Sequence, residues 1–192
     1  THARIAIDLL TAGIPTLVEK PMALSVSDAQ AMIDVSIKTY TTLAVADQFR
    51  QYHLGSLPPG PKTIEAHWIG GNGPRDDCDV FWDMAPHAID LCNFLFGIEC
   101  RMARVDHNSL LLEYASDYSA TIIVSWDKST NNQRTLTCFG CGFHVRFDFR
   151  KMATHQEPIR LLVQEFLSSR CNKALNALKV VRILEMAHAN IT

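Results

Sequence analysis

Two clusters in the 192-residue sequence have the composition for acid–base chemistry. The first is Glu19-Lys20-Pro21, directly after the apolar run Pro15-Thr16-Leu17-Val18. In a parallel sheet, ligands sit beyond the carboxyl ends of the strands, so a lysine at a strand tip projects into the crevice. Pro21 restricts Lys20 to extended backbone and limits where its ammonium points. A fixed ammonium beside a substrate hydroxyl lowers the cost of forming an alkoxide. The same residues also describe a solvated strand-end lysine beside a glutamate, and spacing alone favours that plainer reading.

The second cluster is Trp82-Asp83-Met84-Ala85-Pro86-His87-Ala88-Ile89-Asp90, in which Asp83, His87 and Asp90 stand at i, i+4 and i+7. On a helix all three share one face. Carboxylates a turn away on either side can fix an imidazole in one tautomer and make it a better base. Pro86 belongs in a first helical turn, which puts Asp83 at or near the N-cap. On the plainer reading Asp83 is only a cap and His87 a surface residue. A zinc site would need a third placed ligand, and none is evident.

Other chemistry-bearing residues carry less. Cys138-Phe139-Gly140-Cys141 has C-x-x-C spacing without a second pair or a histidine at finger spacing, so it reads as a hairpin. Gly70-Gly71-Asn72-Gly73-Pro74 does not open a helix and is no dinucleotide fingerprint. Arg101, Arg104, Arg134, Arg146 and Arg150 read as solvated strand positions, and His53, His67, His107 and His144 as surface or rim residues. His2 reads as a helix-start histidine.

These side chains need elements to position them. Residues 3–12 read as an amphipathic helix stopped by Gly13, followed by a strand at 15–18. Ser25 with Asp28 is a capping-box-like start, and Ala29, Met32, Ile33 and Ile37 carry helical spacing to about Lys38. Residues 41–46 form a second apolar strand. Helix alternating with fully apolar strand predicts a doubly wound parallel sheet covered on both faces. Residues 55–61, Gly-Ser-Leu-Pro-Pro-Gly-Pro, cannot continue a helix or a central strand, so the domain junction is placed there: 1–54, then 55–192. A strand at 63–69, a polar loop to 79, a helix from Asp83 to Phe96 stopped by Gly97, and short strands near 100–106, 109–115, 119–126, 133–138 and 143–149 follow. Helices at 158–169 and 174–187 finish the chain. The expected fold is α/β: a partial Rossmann-like parallel sheet, then an α+β domain whose open, mostly antiparallel sheet is an antiparallel meander with helices on one face.

The bulk numbers exclude several classes. A net charge of −2 provides no basic field for nucleic acid or an anionic membrane. Apolar stretches fall far short of a membrane span. Six scattered cysteines are not a disulfide framework, which points to a reducing cytoplasm.

The order and context of the two clusters resemble the glucose–fructose oxidoreductase / inositol dehydrogenase / rhizopine-catabolism (Gfo/Idh/MocA) family. The resemblance rests on "AGIPTLVEKPMALSVSDAQAMI", "VADQFRQ" and "DVFWDMAPHAIDLCNFLFG", and extends weakly through "IIVSWDKSTNNQRTLTCFGCGFHVRFDF" and "NALKVVRILEMAHA". It implies an NAD- or NADP-dependent oxidoreductase acting on a sugar, nucleotide-sugar or cyclitol hydroxyl. By the resemblance, Lys20 sits at the nicotinamide ribose and the reacting hydroxyl, His87 is the general acid/base, and Asp83 orients His87 or substrate. Glu19 and Pro21 shape the cofactor pocket, and Arg50 lies near the crevice in a structural or anion-binding role. The tryptophan-containing "WDMAPHAID" form looks like members acting on nucleotide-linked or other large sugars. The family's relatives form dimers or tetramers through the C-terminal sheet, so the same homo-oligomer is expected.

The family's first strand, glycine-rich turn and ribose-binding acid are expected upstream of Thr1 and are not among these residues. The pyrophosphate cradle depends on backbone N–H groups at a helix N-terminus. A helix expected between Gln51 and Lys62 is also absent. Two alternatives therefore stand beside the dehydrogenase: an inactive or split relative serving as a binding or oligomerisation module, and an NAD-dependent glycoside-cleaving relative.

Overall fold

The computed structural model describes residues 2–52, 54, 61–71, 73–127, 132–152, 156–168 and 174–190. The proposed junction at 55–60 and the turn at 129–131 lie outside the described residues. Six α-helices and eight strands are described, in two sheets.

The first sheet has two parallel strands, β1 (Thr16–Val18) and β2 (Leu43–Val45), paired Thr16 to Leu43 and Val18 to Val45. α1 (His2–Thr11) and α2 (Val26–Lys38) pack on each other beside it. α2 begins as the sequence predicts: Ser25 accepts a hydrogen bond from Asp28 N at 3.1 Å, satisfying a donor that the helix itself leaves free. Ala29, Met32 and Ile33 face the core.

The second sheet has six strands: β3 (Thr63–Ile69), β4 (Cys100–Asp106), β5 (Ser109–Tyr114), β6 (Ser119–Ser125), β7 (Gln133–Gly140) and β8 (Phe143–Asp148). Their spatial order is β4-β5-β6-β3-β7-β8, with β3 parallel to β6 and antiparallel to β7. The expected meander is therefore interrupted: β3 inserts between β6 and β7. β3 is paired along both edges, and its Ile64, Ala66 and Trp68 are buried on one face of the sheet. The Cys138–Cys141 segment is the β7–β8 hairpin, with free thiols on both cysteines.

The helix expected from Asp83 to Phe96 is two helices. α3 spans Val80–Met84 and α4 spans Pro86–Phe96. Pro86 lacks the N–H to continue α3 but fits at the start of α4, so the chain bends there. Asp79, not Asp83, caps α3: its Oδ1 accepts from Phe81 N at 2.9 Å and Trp82 N at 3.0 Å. Gly97 ends α4 at φ 65°, a left-handed conformation that favours glycine. α5 (Gln156–Ser168) packs on the 3₁₀ turn Gln48–Gln51. α6 (Ala174–Ala189) packs on β4, α2, α4 and β2, so it bridges the two sheets. Glu185 on α6 accepts from Val26 N at 3.1 Å and ties its flank to the start of α2. Buried side chains from both sheets form one continuous cluster.

Candidate active site

The segment after β1, the loop after β3 and the short helix α3 meet at one crevice. β1 ends at Val18 and releases Glu19, Lys20 and Pro21, whose connecting Lys20–Pro21 peptide is cis. α3 delivers Asp83 and the first turn of α4 delivers His87. A cavity of about 430 Å³ is lined by His2, Glu19, Lys20, Pro21, Asp83 and the Arg75–Cys78 loop, among others. It stands at the carboxyl end of β1, where an open α/β sheet binds its ligands.

Lys20 and Asp83 touch. Lys20 Nζ donates to the Asp83 backbone carbonyl at 2.5 Å and stands 3.6 Å from Asp83 Oδ1. The other carboxylate oxygen, Asp83 Oδ2, accepts from Trp126 Nε1 at 2.8 Å. Arg75 Nη1 stands 4.0 Å from Asp83 Oδ1 while its guanidinium pairs with Asp77. Burial pulls the Lys20 ammonium below its ordinary range, against the opposing pull of Asp83 and Glu19. A less basic lysine gives up or shares its proton more readily.

His87 is 7% exposed and sits 4.7 Å from the Phe49 ring, in a cluster with Trp68 and Phe149. It is not a surface residue. Burial, then the charges of Lys20 and Arg134, hold it well below the ordinary imidazole range. It is a neutral imidazole at physiological pH, the form that accepts a proton. The Lys20 charge reaches it, but it does not line the crevice wall.

The structure divides the carboxylates differently from the i, i+4, i+7 pattern. Asp90 does not flank His87: it takes a bidentate hydrogen bond from Arg50, with Nε to Oδ2 and Nη2 to Oδ1 both at 2.5 Å. Arg50 also lies 5.2 Å from the Phe94 ring centroid and lines two other cavities, of about 390 and 320 Å³, not the crevice of Lys20. Asp47, after β2, faces this pair. Burial and the Asp90 charge push its carboxyl up to about 8, against the pull of Arg50.

Four further residues stand around the site that spacing within the two clusters does not reveal. Trp126 positions Asp83. Arg75 reaches Asp83 from the loop after β3. Arg134 is not a solvated strand residue: its Nη1 donates to Ile69 O at 2.6 Å, and its charge acts on His87 and Lys20. His2 Nδ1 meets Pro21 O at 2.9 Å; a carbonyl only accepts, so Nδ1 carries the proton and pins the turn that holds Lys20. Strand parity could have found two of these. Trp126 extends the inward series Ala120, Ile122, Val124, and Arg134 extends the series Cys138, Leu136. Among the described residues, no group of three or more His, Cys, Asp or Glu could hold a metal, and no helix is long and apolar enough to cross a membrane.

Residues 1–47 match the model of an oxidoreductase family with an NAD-binding Rossmann fold, Gfo/Idh/MocA. A UDP-N-acetylglucosamine 3-dehydrogenase from Acidithiobacillus ferrooxidans is 31% identical over 158 residues, covering 79% of this chain and 48% of the relative. The chain thus spans about half the length of that curated relative. A solved structure of that enzyme, GnnA, superposes with a TM-score of 0.79 at 21% identity, over 98% of this chain and 75% of that one. The WlbA dehydrogenase from Bordetella pertussis, solved with NADH and UDP-GlcNAcA, superposes at 0.78 and 19% identity over 98% and 73%. Myo-inositol 2-dehydrogenase from Lactobacillus plantarum superposes at 0.80 and 15% identity over 98% and 74%. Residues 1–47 thus carry the match to the Gfo/Idh/MocA family of oxidoreductases, and the chain as a whole shares the fold of these solved structures.

Proposed function

We propose that this protein transfers hydride between a secondary hydroxyl of a sugar, nucleotide sugar or cyclitol and NAD or NADP. One observation carries the reading. A partly desolvated lysine, held by Asp83, lines an open crevice at a parallel-strand end, with a neutral histidine close behind it. The residues present fit the nicotinamide–ribose end of a dinucleotide: Lys20 supplies a donor, and the exposed Glu19 carboxylate supplies an acceptor for ribose hydroxyls. The nicotinamide would supply the hydride acceptor. The chain's own residues would do the rest. Lys20 donates a hydrogen bond to the carbinol oxygen and stabilises the charge that grows there as the C–H bond breaks. His87 takes the hydroxyl proton, which its neutral state permits. Asp83 and Trp126 fix the ammonium in place.

A specific observation favours a second assignment of the base. Lys20 lines the crevice and His87 does not. With its basicity lowered by burial, Lys20 itself could take the proton, leaving His87 to tune it. The two assignments separate by experiment. Reduced cofactor is measured with a panel of sugars, nucleotide sugars and cyclitols, using wild type, Lys20→Ala and His87→Asn. Loss of an acid–base group costs about 10²–10⁴-fold. If His87 is the base, both variants lose that much. If Lys20 is the base, His87→Asn loses less and shifts the pH profile. Full activity in both variants refutes the proposal.

We also propose that the sheet face opposite α4 and α6, carrying Leu111, Ile123, Met102 and Phe139, pairs with a second copy. Met102 and Phe139 are 47% and 40% exposed there, which is apolar surface a dimer would cover. Sedimentation velocity showing only monomer would refute this.

A further inference from the structure

α3 is five residues long, too short to hold its own shape in water. Yet it carries Asp83, whose carbonyl and carboxylate meet Lys20 and Trp126. Its geometry is therefore imposed from outside. α3 packs on α4 and β6, and a further contact comes from the far end of the chain. Asp79 uses Oδ1 to cap α3, and its Oδ2 stands 2.6 Å from His188 Nε2. His188 lies in the last turn of α6, where its Nδ1 meets Leu184 O one turn back at 2.7 Å. A carbonyl only accepts, so Nδ1 donates to Leu184 O, while Nε2 faces the Asp79 carboxylate. Both edges of the ring are thus fixed. Its face lies 5.6 Å from the Trp82 ring at 32°, and Phe81 stands edge-on at 6.3 Å. α6 is itself anchored on β4, α2 and α4.

We propose that His188, acting through Asp79, is a positioning residue that sets α3 so that Asp83 holds Lys20 in the crevice. The proposal rests on Lys20 and Asp83 being the working site. Neither His188 nor Asp79 lines that crevice. The effect runs through geometry: hydrogen bonds near 2.5 and 2.8 Å weaken steeply when one partner shifts by about 1 Å, and such a misplacement can cost about 10²-fold in rate. An ordinary exposed ion pair would contribute little and transmit nothing. This one differs because a single carboxylate both caps the helix and receives the latch.

Two substitutions separate these roles. Asp79→Ser keeps a good N-cap but offers no second oxygen to His188. His188→Phe keeps a ring on Trp82 and removes both hydrogen bonds. The first readout is the Trp126 indole N–H resonance in ¹⁵N-labelled protein, one of three indole signals and a direct report on Asp83 Oδ2. It requires no activity, so it stands even if the dehydrogenase reading fails. We expect the Trp126 signal to move the same way in both variants, and the double variant to move it no further. Where turnover is measured, kcat should fall about 10-fold or more with KM little changed. An unmoved Trp126 signal in both variants, with Asp79→Ala alone displacing it, would show that the cap suffices and overturn the proposal. If His188→Phe does not fold, His188→Gln takes its place with the same criteria.

Discussion

Arg50→Met keeps a long apolar stem over Phe94 and removes the guanidinium that Asp90 grips with two bonds of 2.5 Å. The Asp90 side chain is 4% exposed and that of Arg50 22%, so the pair is effectively out of bulk water. Removing one partner of such a pair leaves an uncompensated buried charge, which costs about 3–5 kcal/mol. Asp47 makes the case more severe. It faces the same guanidinium and already binds its proton too tightly. In a protein of this size each kcal/mol moves Tm by about 2–4 °C, so the expected drop is about 6–20 °C. The loss should grow as pH rises, because the orphaned carboxylates are tolerated only when protonated. Urea unfolding of wild type, Arg50→Met and the double variant Arg50→Met/Asp90→Leu is the assay. The double variant should recover most of the loss, since a well-packed apolar pair substitutes for a buried ion pair at little cost. Arg50 is absent from the crevice wall, so KM for the cofactor should change little. A loss below about 1 kcal/mol in the single variant, or a large rise in KM with stability intact, would refute the reading of Arg50 as a structural tie.

Two further outcomes are expected. His87 is held neutral by burial, so the unfolded chain binds a proton there that the folded one refuses. Folding stability should therefore fall as pH drops below about 6.5, by at most about 1.4 kcal/mol per pH unit. His87→Asn should flatten that limb in pH-dependent urea titrations, and an unchanged slope would contradict the assignment. Gly70 has φ 102°, and a Cβ there would stand 2.2 Å from Asn132 Oδ1. Gly70→Ala should cost about 1–3 kcal/mol by backbone strain alone, with the end of the β3–β6 pairing disturbed where Gly70 N–H donates to Ser125 O. A Tm equal to wild type would show that the loop relaxes freely.

Much of the local structure was legible because it depends on neighbours in sequence. Ser25 caps α2, Gly97 ends α4, and each strand of the second sheet falls where period-two apolar residues stand between turn residues. What local reasoning does not reach is pairing at a distance. Nothing in residues 63–69 announces that β3 will sit between β6 and β7, since both neighbours follow it by more than fifty residues. The same limit explains Asp90. Helical spacing offered it to His87, but a guanidinium 40 residues away makes the better partner in a buried place. The break at Ala85 was present in the sequence. A proline at the first position of α4 requires its cap at residue 85, and alanine caps poorly, so the turn before it had to come from another helix. The place of Lys20 at a parallel-strand tip was legible from the apolar run before it, whereas its proposed role came from the family resemblance, because spacing alone favoured a solvated lysine. His188 was not legible, because its role depends on a fold that brings residues 79 and 188 to 2.6 Å.

A crystal structure of the protein with NAD or NADP and a nucleotide sugar would test the central claim most directly. The account predicts the carbinol oxygen in the crevice of Lys20 and Asp83, within about 2.6–3.2 Å of Lys20 Nζ. A sugar seated in the cavity walled by Arg50 and Phe94, with the Lys20 ammonium still on the Asp83 carbonyl and touching neither ligand, would contradict it.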